Sequence, residues 1–493
     1  MYLHKISTNA IFHSQYSIFN TQFLIHHLRY PIPHSHDTMP RLLLAAVLLA
    51  AALTGCRGDE AAERPGVRTV RLFILFLSPS QADFYRWAEE TYERRNPGVD
   101  IVVEQFPGAS LKDFEIKLRL RFAARREPDL VMANANVLAP LAELGLLDPT
   151  PERLVRHVET NSVNELVRTS CYTGGVCYGV PTDAAWQAMY YNKAMFRRAG
   201  LDPERPPQTW DELLAMADRL TVRSPKGAPT VAGFSLRKTG FKPGTAEKWF
   251  TFLLSAGGAP FNADGTEATL DTPAAREALT FYRAVLDRRI DALTLEGDQG
   301  GFGEGQVAIL FREAHMIRWL RETHPEIDFG VAPLPKGPDG QPGVSSGGAY
   351  LMAVSDASRH KADAWGFTEF LVSDSAYARY IGIGGVVPVV KSVADRPELR
   401  RDAALAVFLD QPATSIGHFP LVQRASEVTG AYLERYLYGL IPADEMLARA
   451  NRDVNAVLDA NRDVAAVDDP STGSGLAGRR TTTATAAQTR RAP

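Results

Sequence analysis

The sequence predicts an α/β protein of more than one domain, and three observations carry that expectation. From Thr69 onward, short β-prone runs alternate with amphipathic helical segments, the order that produces a parallel sheet wrapped by helices. The chain has 493 residues, more than one hydrophobic core usually serves. Hydrophobic residues make up 45% and charged residues 23%, the balance of a chain that buries a large core.

Taken in order, Thr69 to Leu77 (TVRLFILFL) is apolar and β-prone, a buried strand. Ser80 is placed to cap the next helix, whose Phe84, Trp87, Ala88 and Tyr92 keep helical spacing until Asn96-Pro97-Gly98 stops it. Asp100 to Glu104 is a short strand. Leu111, Phe114, Leu118 and Phe122 mark a second amphipathic helix, Pro128 to Met132 a third strand, and Leu138 to Leu146 the following helix. Tyr178 to Pro181 reads as a strand leading to Ala188–Asn192. Thr209 caps a helix in which Glu212, three residues on, completes a capping box. Trp249 to Leu254 is an apolar helix ended by Gly257-Gly258, and Pro273 to Asp287 a helix with Pro near its start. Strands are expected at Gln306–Phe311, at Phe329–Pro333 and after Gly347-Gly348. Helices are expected at 359–372 and over most of 422–460.

In such sheets ligands sit outside the carboxyl ends of the strands. The residues there are Ser78, Pro79, Ser80 and Gln81 after the first strand, and Asn134 and Asn136 after the third. These side chains both donate and accept hydrogen bonds without carrying charge, as a hydroxyl-rich ligand requires.

The ends of the chain differ from its middle. Residues 42–53 (LLLAAVLLAAAL) are too short to span a bilayer, which takes roughly 20 residues, but suit the apolar part of a secretory signal. The run follows Met39-Pro40-Arg41, ends in Leu53-Thr54-Gly55-Cys56, and resembles a bacterial lipobox, which would make Cys56 the lipidated N-terminus. On this reading residues 1–38 are a leader upstream of the true start at Met39, and their six His are no ligands. Residues 39–55 are a lipoprotein signal peptide, 56–67 a tether, and 466–493, rich in Ser, Thr, Gly, Ala and Arg, a disordered tail. The formal net charge of -3 excludes a strongly basic nucleic-acid binder. The leader and signal hold Lys5, Arg29 and Arg41 against Asp37, and the tail four Arg against Asp468 and Asp469. The body between them is therefore acidic, at -7.

Of the three Cys, Cys171 and Cys177 bracket Tyr-Thr-Gly-Gly-Val, a turn that can bring them within bonding reach. A structural disulfide is expected in a secreted chain. A P-loop, a zincin His-Glu-x-x-His and paired Cys ligands are absent. The five His outside the leader are scattered. No catalytic residue, metal site or cofactor is expected.

Several ordered segments resemble one family. Met189-Tyr190-Tyr191-Asn192-Lys193-Ala194-Met195-Phe196-Arg197-Arg198-Ala199-Gly200-Leu201, followed by Pro206-Pro207-Gln208-Thr209-Trp210-Asp211-Glu212-Leu213, is similar to the central signature of extracellular solute-binding proteins of ABC importers. The branch is that of maltose-, oligosaccharide- and glycerol-3-phosphate-binding proteins. Gly179–Asp183, Phe302-x-x-Gly305-Gln306-Val307-Ala308, Phe329–Pro335, Gly347-Gly348 and Gly385–Pro388 match in the family's order, over residues 68–460.

The resemblance implies a two-lobed periplasmic-binding-protein fold with a ligand cleft between lobes joined by crossing hinge strands. It places lobe 1 at residues 68–180 plus 350–386 and lobe 2 at 181–349 plus 387–465. The crossings would lie near Gly179–Thr182, Ser346–Leu351 and Val386–Lys391, with Gly347-Gly348 suited to a hinge by its backbone freedom. Implied ligand-binding residues are Ser78, Asn134, Asn136, Asp183, Trp186, Trp249, Gly347, Gly348 and His418, with Trp249 as a ring stacked on sugar. His418 stands where glycerol-3-phosphate binders carry an Arg, with Arg424 nearby, which favours a neutral sugar or oligosaccharide over a phosphate. The implied protein is no enzyme. It is a monomeric, lipid-anchored receptor outside the cytoplasm that closes on a sugar and hands it to the transmembrane subunits of an ABC permease, with no nucleic-acid partner. A glycerol-3-phosphate or phosphodiester receptor, a sensor of the same fold and a secreted carbohydrate-active enzyme are the alternatives.

Overall fold

The computed structural model describes residues 66–467, apart from 76–77, 108–110, 239–241, 296, 384–385 and 417–420. The leader, the signal segment, Cys56, His418, Gly385 and the tail from Asp468 lie outside the described residues. The opening β-α-β-α-β run is as the sequence implies: β1 (Arg68–Ile74), helix Pro79–Arg95, β2 (Val99–Gln105), helix Leu111–Ala123, β3 (Leu130–Asn134) and helix Ala135–Glu143. Both β2 and β3 run parallel to β1. The cap of the first helix is Ser78, not Ser80. Its hydroxyl accepts from the Gln81 N–H while the Gln81 side chain reaches back to the Ser78 N–H, a capping box with Pro79 in the first turn.

Helices Glu152–Asn161 and Glu165–Thr169 lead to a small hairpin, β4 (Tyr172–Thr173) and β5 (Val176–Cys177). Cys171 and Cys177 are joined by a disulfide there, with Cα atoms 4.8 Å apart. The turn between them uses Gly174 and Gly175 at positive φ, which is why two glycines stand in the loop.

The chain then enters β6 (Val180–Asn192), a strand of 13 residues. Val180–Trp186 pair antiparallel with β11 (Ser345–Val354), which also pairs with β3. Gln187–Asn192 pair instead with β9 (Ile309–Glu313) and β10 (Phe329–Ala332). A short β7–β8 hairpin (Val222–Arg223, Pro229–Val231) stands apart. β6 therefore belongs to two sheet regions, and the strand order β10-β6-β11-β3-β1-β2 runs through both. Gly179, just before it, has φ +109°, and a Cβ there would meet the Met352 carbonyl at 3.0 Å, so both conformation and space demand glycine.

Two apolar cores flank this strand. The first gathers Val70, Leu72, Phe73, Leu130, Val131 and Phe367. The second gathers Trp210, Phe234, Trp249, Phe252, Phe281 and Leu433, from helices Trp210–Leu220, Lys242–Ser255, Pro273–Asp287 and Val422–Leu437 and the loop at Phe234. Val387, Val389, Val390, Val393 and Phe408 pack in the first core, and the second resumes at Ile416. The expected third crossing at Val386–Lys391 is thus displaced. The passage between cores runs through β12 (Ala413–Ser415), which lies parallel against β11.

Candidate functional site

A cleft opens where the two cores meet. A cavity of about 320 Å³ is bounded by Asn134 and Asn136 at the start of helix Ala135–Glu143, by Gly347 and Gly348 of β11, and by Glu247 of helix Lys242–Ser255. An adjoining cavity of about 210 Å³ reaches Asp183 and Gln81, and shares Ala185, Glu313, His315 and Tyr350 with the first.

Local chain geometry sets these groups. Asn134 ends β3 and caps the next helix, its Oδ1 accepting from the Asn136 N–H at 3.0 Å. The Asn136 Oδ1 is buried with no hydrogen-bond partner among the described residues. Gly347 and Gly348 lie inside a regular strand, and neither has positive φ. What they provide is space. A Cβ on Gly347 would lie 2.9 Å from the Ala185 carbonyl, and one on Gly348 would lie 3.2 Å from Asn134 Nδ2. Their expected role through backbone freedom gives way to one through close approach.

Charges in the cleft are partly paired. Glu313 sits 2.6 Å from Lys248 and 3.0 Å from Arg312. Burial opposes its ionisation, but these cations prevail and hold it well below the usual carboxylate range. Asp298 lies 2.9 Å from Arg312 and 3.7 Å from Arg237. His315 lines both cavities and is exposed to them; partial desolvation of the ring, with the nearby Arg312 and Lys248, lowers its pKa against the pull of Glu313 and Asp298.

Asp183 differs. Its Oδ1 accepts from the Ala184 N–H at 2.7 Å and its Oδ2 from the Tyr380 hydroxyl at 3.4 Å, with no ion pair among the described residues. Burial lifts its pKa from 3.8 to about 7, against those two hydrogen bonds and the nearby Arg318. The folded protein therefore holds a proton there that the unfolded chain releases, and stability falls as pH rises from about 4 to about 7. Asp183→Asn is expected to remove that loss and to raise the unfolding free energy above this window by about 1 kcal/mol or more. Urea unfolding on either side of the window checks it; an unchanged pH dependence would refute it.

Of the expected ligand residues, the structure brings Asn134, Asn136, Asp183, Gly347 and Gly348 together on the cleft. Ser78 is held in its own helix cap. Trp186 is 1% exposed and donates its Nε1–H to the Phe408 carbonyl at 2.9 Å. Trp249 has no exposed surface and lies in the second core. Neither indole faces the cavity, which corrects both expectations: each ring is consumed by packing.

The cleft also holds residues that sequence reading missed. Gln187 lies 3% exposed among Ala184, Ala185, Trp186 and Ala188, a lone amide in an apolar strand, which was its one visible signal. Its Nε2 donates to Thr251 Oγ1 at 3.0 Å, while its Oε1 has no partner among the described residues. Glu247 and Glu313 had no signal among 57 acidic residues. The sequence also holds Gly343-Val344-Ser345-Ser346-Gly347, which has the spacing of a nucleophile elbow. The structure gives it no such role. Ser345 is wholly buried at the start of β11, its hydroxyl donates to the Ser346 carbonyl and accepts from the Gln187 N–H, and no His is among its partners.

Two α/β cores joined by shared strands around a polar cleft define a binding protein that can enclose a small molecule. The chain belongs to the bacterial extracellular solute-binding protein family, whose model matches residues 78–378. It is 26% identical over 399 residues to a binding protein of Brucella abortus (strain 2308), over 79% of this chain and 93% of that one. It is 25% identical over 343 residues to the maltotriose-binding protein of Pyrococcus abyssi (strain GE5 / Orsay), over 67% of this chain and 69% of that one. Among solved structures, the cyclic alpha-maltosyl-1,6-maltose binding protein from Arthrobacter globiformis superposes with a TM-score of 0.69 at 25% identity, covering 80% of this chain and 99% of that chain. The fold is the two-lobed α/β fold of these proteins.

Proposed function

We propose that this protein is the sugar-capturing receptor of an ABC importer, tethered through a lipidated Cys56 and delivering its ligand to a membrane permease. One observation in the cleft carries the sugar reading. Gln187 Oε1 and Asn136 Oδ1 are buried acceptors without donors among the described residues, bordering a cavity lined by further polar groups. Such acceptors are expensive unless a ligand or water supplies the missing donors, and sugar hydroxyls do so. The sugars named for the relatives from Pyrococcus abyssi and Arthrobacter globiformis support the same class. Phosphate is disfavoured because the carboxylates of Asp298 and Glu313, 2.9 and 3.0 Å from Arg312, offset its charge, and Asp298 also lies beside Arg237. The Arg312 Nε–H still makes no aligned hydrogen bond among the described residues, which is why glycerol 3-phosphate belongs in the test.

The test is a panel of maltose, maltotriose, cyclic maltosyl-maltose and glycerol 3-phosphate, read by thermal shift and by recovery of the ligand. A bound sugar at a hundredfold excess over its Kd is expected to stabilise the protein by about 2.7 kcal/mol and to be recovered intact. Turnover of the sugar, or stabilisation by glycerol 3-phosphate alone, would replace this reading.

No helix among the described residues is long and apolar enough to cross a membrane. Attachment therefore rests on Cys56 in this proposal, and Cys56→Ser is expected to move the protein from the membrane to the soluble fraction. Membrane retention of that variant would remove the lipid anchor from it.

A further inference from the structure

The carboxylates of the cleft fall into two groups. Glu313 and Asp298 are neutralised by Lys248, Arg312 and Arg237. Glu247 is not. It projects into the cavity from helix Lys242–Ser255, and its carboxylate makes no hydrogen bond and no ion pair within 4.0 Å among the described residues. The chain around it is otherwise committed: its own backbone carbonyl accepts from the Ser346 hydroxyl at 2.8 Å, and the neighbouring Lys248 is taken by Glu313 at 2.6 Å. The 3%-exposed Gln187 borders the same cavity, and one end of its amide lacks a partner whichever way it is turned.

We propose that Glu247 selects a ligand bearing a protonated amine, so that the captured sugar is an amino sugar. This deepens the sugar-receptor reading and rests on it. Glu247 is exposed to the water of the cleft. A ligand that displaces this water leaves the carboxylate needing a counter-charge, and a charge-assisted hydrogen bond from an ammonium is stronger there than one from a neutral hydroxyl. The groups facing Glu247 are Glu313, Lys248 and Arg237. Partial desolvation first, and Glu313 second, push its pKa upward, against the two cations. Uncharged donors on the sugar then satisfy Gln187 and Asn136.

The experiment titrates the full-length protein with a glucosamine disaccharide, its N-acetylated form and maltose, by calorimetry at mildly acidic pH, where the sugar amine is protonated and an exposed carboxylate is ionised. The amine is expected to bind at least tenfold tighter than either neutral sugar. That preference should shrink as salt rises from about 0.01 M to about 1 M, because screening shortens the reach of the ion pair. Glu247→Gln, shown folded by its melting transition, is expected to abolish the difference. A neutral sugar binding as tightly as the amine overturns the inference while leaving the sugar receptor standing, as does a preference that survives both salt and Glu247→Gln. Binding of a simple diamine with no binding of any sugar overturns the sugar reading. No binding by any of them overturns both.

Discussion

Trp249→Ala is expected to lower the unfolding free energy by about 3–5 kcal/mol, the range for truncating a large buried aromatic. The ring has no exposed surface, lies 5.7 Å from Phe250 at 47°, and sits on the helix that forms one wall of the cleft. Truncation leaves a cavity that surrounding rings cannot fill. Trp249→Phe should cost far less, because the indole Nε1 has no hydrogen-bond partner among the described residues and the substitution eliminates that unsatisfied donor. Urea unfolding of the two variants measures the contrast. A Trp249→Ala protein with wild-type stability and reduced sugar affinity would return this ring to the binding site.

Asp291→Ala is expected to have an effect of similar size, about 3–5 kcal/mol, through charge rather than volume. Asp291 is fully buried, and Lys238, 5% exposed, places its Nζ 2.6 Å from Oδ1. That ammonium also donates to the carbonyls of Ala292 at 2.8 Å and Leu295 at 3.3 Å, while Asp291 accepts from the N–H groups of Leu236 and Ala292. Removing the carboxylate strands a buried cation and frees two backbone donors. The pair also pins the segment that carries Arg237 into the cleft, so ligand affinity should fall together with stability. The double variant Asp291→Leu/Lys238→Met removes both charges and should lie closer to wild type than Asp291→Ala. Equal destabilisation by the two would show that packing, not charge, dominates.

Periodicity exposed the opening β-α-β-α-β run, because a buried parallel strand and an amphipathic helix each leave a local pattern. The Asn134 and Asn136 site followed from it, since the carboxyl end of β3 is a short-range consequence of where the strand stops. The resemblance implied only a crossing near Ser346–Leu351; the antiparallel addition of β11 between β3 and β6 left no signal, because its partners are distant in sequence. Trp186 and Trp249 were misread for a related reason. An aromatic on a helix or strand has the same spacing whether it faces a ligand or a core, and burial alone separates the two. Glu247 was invisible because a Glu-Lys pair on a helix looks like a solvated face.

The two-sheet strand β6 also governs how the molecule can assemble. Its first half pairs with β11, whose partner positions in Gly347–Met352 lie roughly 160 to 170 residues further along the chain, and the segment between them supplies much of the other core as well as Phe302, Leu310 and Ile317 of the first. The first core is thus interrupted by an insertion and cannot close until that long loop has been brought together. Contacts of such separation slow folding, since closure entropy must be overcome before the strand pairing can offset it. Within the second core, helices Trp210–Leu220, Lys242–Ser255 and Pro273–Asp287 are sequence neighbours and can pack early, whereas helix Val422–Leu437 joins them from far along the chain. Refolding should therefore show those three neighbouring helices protected from hydrogen exchange first, with the docking of helix Val422–Leu437 on them and of β11 between β3 and β6 as later steps that create the cleft.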